Sequence, residues 1–526
     1  MAIWKWLGQF IRRNNGENVD KNIIPLSKNL ENNLNEIRRD VGNSPDIIIR
    51  RFILGREKKV AAAVIFTDGL VSNSDINNFL KVLFTEYKDE DVSVPPIKMI
   101  KEQLLNIGDV KETEDKIQVL NEILTGSTAI LIDGAKSALI ANTKGWETSG
   151  VLPPENQVVL RGPREAFTSN IRTNTALIRR IVSSSKLRLE QMKIGTLSET
   201  VVGIMYIEGV AHDKIVQEVR KRIKNIKIDG TLGSGYIEDF ITDNPWTLFP
   251  QVMYTERPDT AAGHLLEGKI IIIVDGTPFI LSVPVTYLMF FQSADDYYLN
   301  WQLSTFLRLL RMLTFLIALT LPSLYVAITT FHQELLPTTL LVSLAAQREG
   351  VPFPAFVEAL LMEFTFEVLR EAGVRLPRAI GQAVSIVGAL VLGTAAVEAG
   401  IVSPAMVITV SMTAISSFTA PYVEIVSSAR LLRFGLLMLA ASFGLFGILF
   451  GVMLISIHLT TLRSFGIPYL QGIAPFNLTD QKDLFMRVPR FLMKSRPRLF
   501  GQKNPIRQDA NMPHTPKARQ RRRKDE

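Results

Sequence analysis

The side chains able to carry out covalent or metal chemistry are few and poorly placed for it. The chain has no cysteine, which excludes thiol catalysis, disulfides and cysteine-ligated metals. None of the predicted strand–helix junctions carries a GxxxxGK[ST] or GxGxxG phosphate loop. No HExxH pairing occurs among the five histidines, which are His212, His264, His332, His458 and His514. We therefore expect no catalytic residues, no metal and no cofactor, and the chain is not predicted to be an enzyme.

Glu358 is an acidic residue in apolar surroundings. On a helix it would project among Leu361, Met362 and Leu369, and a carboxylate near lipid is costly unless it is paired or faces water. It is therefore a candidate functional acid inside the membrane, and a structural salt bridge to an arginine of the same region is the open alternative. Helical spacing places four other charged residues together on a separate face: Glu363, Glu367, Arg370 and Glu371.

The apolar run Ala379–Val402 has two contrasting faces. Small residues at helical spacing favour close helix packing, the candidates being Gly381, Ser385 and Gly388. The opposite face is β-branched with an acid near its end, which would suit a hydrophobically gated cation pore; the pore-lining candidates are Val384, Val387, Val391 and Glu398. A plain buried helix of a bundle would have the same pattern, so both interpretations stay open.

These residues lie in the second of two contrasting halves of the chain. Up to about Tyr298 the sequence is charged and typical of a soluble α/β protein, and afterwards apolar runs predict an all-α polytopic transmembrane domain. The runs are Leu309–Thr330, Ala379–Val402, Pro404–Pro421 and Phe434–Ile457. The last contains no charged residue, and 24 helical residues reach about 36 Å, against a hydrocarbon core of about 30 Å.

Four spans are the first choice for the topology, and five or six remain open. A shorter apolar piece, Leu335–Ala346, suits a re-entrant or interfacial segment. An even number of spans keeps the two ends of the chain on one side of the membrane. Four spans would, however, place five arginines on the far side, against the positive-inside tendency: Arg370, Arg375, Arg378, Arg430 and Arg433.

The soluble half contains an internal repeat. Val60–Leu70 and Val201–Ala211 are both buried-strand patterns that end in an acidic residue and glycine, and each precedes a helical pattern. Each is followed later by an apolar hairpin, turning at Asp133-Gly134 and at Asp275-Gly276. The spacing predicts two related α/β subdomains, which would serve as a scaffold or interaction module.

The positive net charge of +8 comes from the C-terminal end. Residues 482–526 contain fourteen Lys and Arg against four Asp and Glu, which favours topology and contact with anionic membrane lipid over nucleic-acid binding. The predicted organisation is a mobile arm at 1–45, α/β subdomains at 46–160 and 165–290, a transmembrane domain at 300–475, and a basic, disordered cytoplasmic tail at 482–526.

Four stretches of the chain are distinctive: NIRTNTALIRR at Asn170–Arg180, GYIEDFITDNPWTLFP at Gly235–Pro250, FQSADDYY at Phe291–Tyr298, and the long run Glu334–Val407 that begins ELLPTTLLVSLAAQREGVPF. Through these stretches the chain, between Asp46 and Pro475, resembles the A subunits of the GerA-type spore germinant receptors. A related sporulation membrane protein of the same superfamily is the nearest alternative.

The resemblance implies a multi-pass protein of the spore inner membrane, with the soluble region and the tail on the spore core side. It also implies a transporter-like B subunit and a lipoprotein C subunit as partners. The A subunits look like homo-oligomeric, pentameric cation channels that open on germinant binding. A non-conducting scaffold that assembles receptor or sporulation membrane complexes is the alternative function.

Overall fold

The structure is a computed structural model. The residues it describes are 23–55, 59–86, 97–98, 101, 110–145, 151–375, 393–477, 480–497 and 504–507. They form two compact units. One draws its described residues from 1–149 and 175–188, and the other from 150–174 and 189–526.

The first unit contains a five-stranded sheet whose neighbouring strands are antiparallel, in the order β1-β2-β4-β5-β3. The strands are β1 (Ile47–Leu54), β2 (Val60–Thr67), β3 (Val110–Thr113), β4 (Thr128–Ile132) and β5 (Ala138–Ala141). The helices are α1 (Leu30–Val41), α2 (Asn73–Glu86) and α3 (Lys116–Leu124).

Both faces of this sheet are covered, which explains the unbroken apolar sequence of β2. Ala63 and Ile65 pack in one core with α1 and α3. Val64 and Phe66 point the other way, into a core that includes Ile76 of α2. Since alternate residues of a strand face opposite sides, a strand buried on both sides is apolar along most of its length, and the buried Thr67 at the end of β2 donates to the carbonyl of Ile123.

The second unit contains another five-stranded sheet, with the corresponding order β6-β7-β9-β10-β8. The strands are β6 (Leu187–Ile194), β7 (Thr200–Ile207), β8 (Met253–Thr255), β9 (Ile270–Val274) and β10 (Ile280–Val283). The helices that accompany it are α5 (Asp213–Lys224), α6 (Ser234–Ile241) and α7 (Pro258–Glu267), together with α4 (Ile171–Ile181), which begins in the second unit and whose later residues belong to the first.

Matching hydrogen bonds in the two units confirm that the α/β regions are related. The predicted hairpin turns are present, and each turn aspartate accepts the first amide of a helix: Asp133 Oδ1 from Leu30 at 3.0 Å, and Asp275 Oδ1 from Ile171 at 3.0 Å. The glycine after each aspartate donates to the chain just before that helix, at 2.8 Å in both units. The Asp-Gly pairs therefore fasten each hairpin to the helix that opens its repeat.

The prediction of a mobile arm is wrong for the residues of α1. Leu30, Leu34, Ile37 and Val41 recur at helical spacing and are buried against the first sheet. Asn29 caps the helix by accepting the amide of Asn32 at 3.1 Å. The Asn-rich composition concealed a helix because its polar residues occupy the outer face. Residues 1–22 lie outside the described part of the chain.

A helical region completes the second unit. Its helices are α8 (Trp301–Phe331), α9 (Thr338–Arg348), α10 (Ala355–Arg375), α11 (Pro404–Ser417) and α12 (Val423–Thr461). By length and composition, α8 and α12 are the described helices that could cross a membrane. α11 is about 21 Å long at roughly 1.5 Å per residue. It is therefore too short for the span predicted at Pro404–Pro421.

α12 is folded back on itself at Gly444, where the backbone has φ 59° and ψ −140°. Ser428 donates to the carbonyl of Leu248, and His458 Nε2 lies 2.8 Å from the hydroxyl of the adjacent Thr247. A straight helix would separate Ser428 from His458 by about 45 Å. The two limbs of α12 are therefore antiparallel, with their open ends beside the second sheet.

The predicted single span Phe434–Ile457 is therefore wrong, because the turn falls inside that run. The limbs, residues 423–443 and 445–461, measure about 31 Å and about 26 Å at roughly 1.5 Å per residue. At the turn, a Cβ on Gly444 would lie 2.6 Å from His332 Cε1, just after the end of α8. α8 thus leads away from the α/β region to the turn of α12, and the second limb leads back.

We predict that Gly444→Ala lowers the free energy of unfolding. The backbone of Gly444 is accessible to glycine alone, and a methyl group would also meet His332. Strain of this kind costs roughly 1–3 kcal/mol. Unfolding of the purified full-length protein in detergent measures the change.

Gly435→Ala is the matched control, because this glycine is inside a helical limb and a Cβ there meets nothing within 4 Å. It should raise stability, by up to about 1 kcal/mol from helix propensity. Equal effects of the two substitutions would contradict the turn.

Candidate functional site

Glu358 lies fully buried in α10 and joins three segments of the helical region. Its Oε1 is 3.3 Å from Arg348 Nε at the end of α9. Its Oε2 accepts the amide and hydroxyl of Ser403, at 3.0 Å and 2.9 Å, where α11 begins. The Ser403 hydroxyl also lies 3.3 Å from the hydroxyl of Tyr325 on α8. The contacts match the salt-bridge alternative for Glu358, and a functional role for this acid remains a prediction.

The separate charged face of α10 contacts the first limb of α12. Glu363 and Arg433 form a buried ion pair, with 2.6 Å between Oε2 and Nη1. Glu367 pairs with Arg430 at 3.0 Å, and Arg370 lies 3.7 Å from the same carboxylate oxygen. We call these five residues the charged cluster. The pairing of Arg430 with Glu367 and of Arg433 with Glu363 explains how these arginines can occupy an apolar region without facing a cytoplasmic surface.

Several buried polar atoms of the charged cluster lack a hydrogen-bond partner among the described residues. Glu363 Oε1 and Arg433 Nε have no hydrogen-bond partner among the described residues, and the same is true of Glu367 Oε1 and Arg430 Nε. Buried pairs seldom repay their desolvation, and apolar replacements of similar volume are often as stable. The charged cluster is therefore not expected to stabilise the protein more than apolar side chains would. This makes it a candidate for a contact that changes during function.

Among the other predicted site residues, Glu398 lies in the part of the chain that the structure describes. Glu398 lies at the end of a helical stretch at 393–398, and its side chain is exposed. The other pore-lining and packing candidates lie outside the described residues: Val384, Val387, Val391, Gly381, Ser385 and Gly388. The structure does not bring Glu398 into the charged cluster.

A second group of charges, not predicted from the sequence, lies where α8 begins. Asp296 is fully buried and accepts hydrogen bonds from Arg308 Nε at 3.2 Å and Arg311 Nη2 at 2.8 Å. Arg308 Nη1 also donates a hydrogen bond to the carbonyl of Asp483, at 2.6 Å. The predicted disordered tail is therefore wrong for its first residues, because Asp483 is bound to α8. The sequence signal was the pair of acids in FQSADDYY, followed by Arg308 and Arg311 three residues apart in the next helix.

We call the contacts among Asp296, Arg308, Arg311 and Asp483 the junction. Burial changes the pKa of the Asp483 carboxyl in it. Its side chain is one-quarter exposed, and burial raises the pKa of its carboxyl from an ordinary 3.8 to about 6. The phenol of Tyr297, whose pKa burial raises well above its ordinary value, donates to Asp483 Oδ2 at 3.1 Å. The junction thus links the second α/β region, α8 and the C-terminal segment through buried polar contacts.

The fold and these sites define a protein in which two related α/β regions precede a bundle of apolar helices with buried ion pairs. Residues 35–499 match the family of Bacillus/Clostridium GerA spore germination proteins. The chain belongs to this family.

The chain is also similar to individual proteins. The chain is 45% identical over 496 residues to spore germination protein KA of Bacillus subtilis (strain 168), covering 94% of this chain and 91% of the relative. It is 44% identical over 489 residues to the uncharacterized membrane protein YfkQ of the same organism, covering 92% and 94%. A crystal structure of the N-terminal domain of the A subunit of the Bacillus megaterium spore germinant receptor GerK3 is 38% identical, with a TM-score of 0.42, covering 51% of this chain and 99% of that one.

We predict that breaking one buried pair of the charged cluster destabilises the protein strongly. Arg433→Met should leave Glu363 buried and unpaired, at a cost of roughly 3–5 kcal/mol in the free energy of unfolding. The double variant Glu363→Met with Arg433→Met should recover most of that loss. Unfolding in detergent measures the double-mutant cycle.

Arg375→Met is the control, because Arg375 and Glu371 pair at 2.6 Å on an exposed surface. Its effect should be below about 1 kcal/mol. A double variant as unstable as Arg433→Met would contradict the pairing.

Proposed function

We propose that this chain is the A subunit of a nutrient germinant receptor in the spore inner membrane. It assembles as a homo-oligomer, a pentamer, into a germinant-gated cation channel with a transporter-like B subunit and a lipoprotein C subunit. Membership of the GerA family across residues 35–499 is the observation that carries the role in germination. The likeness to a protein named spore germination protein KA, over 94% of this chain, supports it.

The path of the chain supports a common side for the α/β regions and the tail. Arg308, in the first turns of α8, binds Asp296, and the second limb of α12 ends beside Thr247, so the helical region begins and ends next to the second sheet. Asp483 then returns to the start of α8. We assign this side to the spore core, where a basic tail would meet anionic lipid.

The charged cluster supports a helical region with more than one arrangement. Glu363 and Arg433 each keep one polar atom without a described partner, so a second arrangement of α10 against α12 that paired these atoms would compensate for the hydrogen bonds it broke. The pore face proposed for Ala379–Val402 follows α10 directly in the sequence. Movement of α10 is therefore the physical route by which the receptor's partners would act on the gate.

The gate is tested by Val387→Ala. A smaller apolar side chain at a hydrophobic constriction makes the pore easier to wet, so cations should leak without germinant. We expect higher basal potassium flux from vesicles containing the purified protein, and nutrient-independent germination of spores carrying the variant.

Val368→Ala is the matched control, since Val368 is an exposed valine of α10 and should leave flux unchanged. Basal flux that is equal in the wild type and both variants would contradict the gate at Val387. A closed oligomer that conducts no ions under any condition would favour the scaffold function instead.

A further inference from the structure

The stretch GYIEDFITDNPWTLFP forms α6 and the loop that leads to β8, and it exposes aromatic side chains. α6 is two-sided: Ile237 and Ile241 are in the core, whereas Tyr236 and Phe240, four residues apart, face outward. Phe240 is 51% exposed. Trp246, in the loop, is 93% exposed. Removing these apolar rings from water would be favourable, so we expect this surface to contact a binding partner.

The loop holds Trp246 outward on a fixed backbone. Gln251 Oε1 accepts the amides of Asp243 and Asn244 at 2.9 Å and 3.0 Å, and its Nε2 donates to the carbonyl of Asn244 at 2.8 Å. Asn244 Oδ1 accepts the amide of Trp246 itself at 3.1 Å. Tyr469 closes the loop by donating to the carbonyl of Pro250 at 2.6 Å. The exposure of the indole is therefore built into the fold.

The loop lies level with the open end of the α12 hairpin. Thr247 contacts His458 of the second limb at 2.8 Å, and the carbonyl of Leu248 accepts a hydrogen bond from Ser428 of the first limb. Ile457, next to His458, is 53% exposed and belongs to the outward apolar face of the second limb, together with Phe446 and Leu449. Trp246 thus stands where the apolar surface of α12 ends.

We propose that Phe240 and Trp246 insert into the boundary between headgroups and acyl chains of the membrane, on the side of the α/β regions. Tryptophan and tyrosine favour this boundary because one edge of the ring is polar and the other apolar. The surface continues the apolar face of α12, and the exposed Arg463, two residues beyond α12, would meet anionic headgroups. The loop would thereby fix the height of the second α/β region above the lipid. The inference rests on the membrane placement in the proposed function, and not on conduction.

The absence of cysteine in the chain allows a direct test with single nitroxide labels. Trp246→Cys is made in the full-length protein, which is reconstituted in vesicles of equal parts phosphatidylglycerol and phosphatidylethanolamine. Collision rates with oxygen, which is concentrated in lipid, and with a water-soluble nickel chelate report the label's surroundings. We expect oxygen access to exceed nickel access at residue 246.

Two reference sites separate the possible failures. Leu197→Cys should report water, because Leu197 is 83% exposed in the turn before β7, at the opposite end of the second sheet from Val283 and Gln251. Leu449→Cys, on the outward face of α12, should report lipid. If residue 449 reports lipid but residue 246 reports water, the insertion is wrong while the membrane placement stands. Protection of residue 246 from both reagents would mean a protein partner and would also overturn the proposal. A water reading at residue 449 would overturn the membrane placement.

Discussion

The reversal of α12 at Gly444 is the constraint on which the helical region depends. Only a residue without a side chain can take a φ of 59° with a ψ of −140° while packing against His332. The turn places Leu436 against Gly451 and brings the end of α12 back to the α/β region. Without it, the second limb would continue away from the sheet, and Thr247 would lose its contact with His458.

The same reversal decides where the charges of the region lie. The first limb carries Arg430 and Arg433 alongside α10, where Glu367 and Glu363 neutralise them. The second limb is uncharged and presents its apolar side chains outward. Charge is thus collected inside the bundle and removed from its surface, as expected of helices in contact with lipid. Asp296 and Arg308 repeat this arrangement at the start of α8, where they bind the helix to the α/β region.

The repeat and the α/β class followed from the sequence because local chemistry specifies them. The glycine of each Asp-Gly turn has positive φ, and strands buried on both faces are mostly apolar. The hairpin of α12 did not follow, since apolar composition cannot tell a glycine that turns the chain, Gly444, from one that stays helical, Gly435. The pairing of Glu363 with Arg433 was equally hidden, because 70 residues separate the partners. Helical spacing did group Glu363 with Glu367, but it gave no indication of their partners on another helix.

A short thiol cross-linker tests the reversal of α12 most directly. In the cysteine-free chain, Leu436→Cys with Gly451→Cys places the two thiols side by side if the limbs are antiparallel, and about 22 Å apart if α12 is straight. Leu309→Cys with Leu324→Cys gives the same sequence separation on the continuous helix α8. We predict an intrachain link in the α12 pair and none in the α8 pair, identified by mass spectrometry. Absence of the link in α12, or a link formed only between chains, would contradict the account.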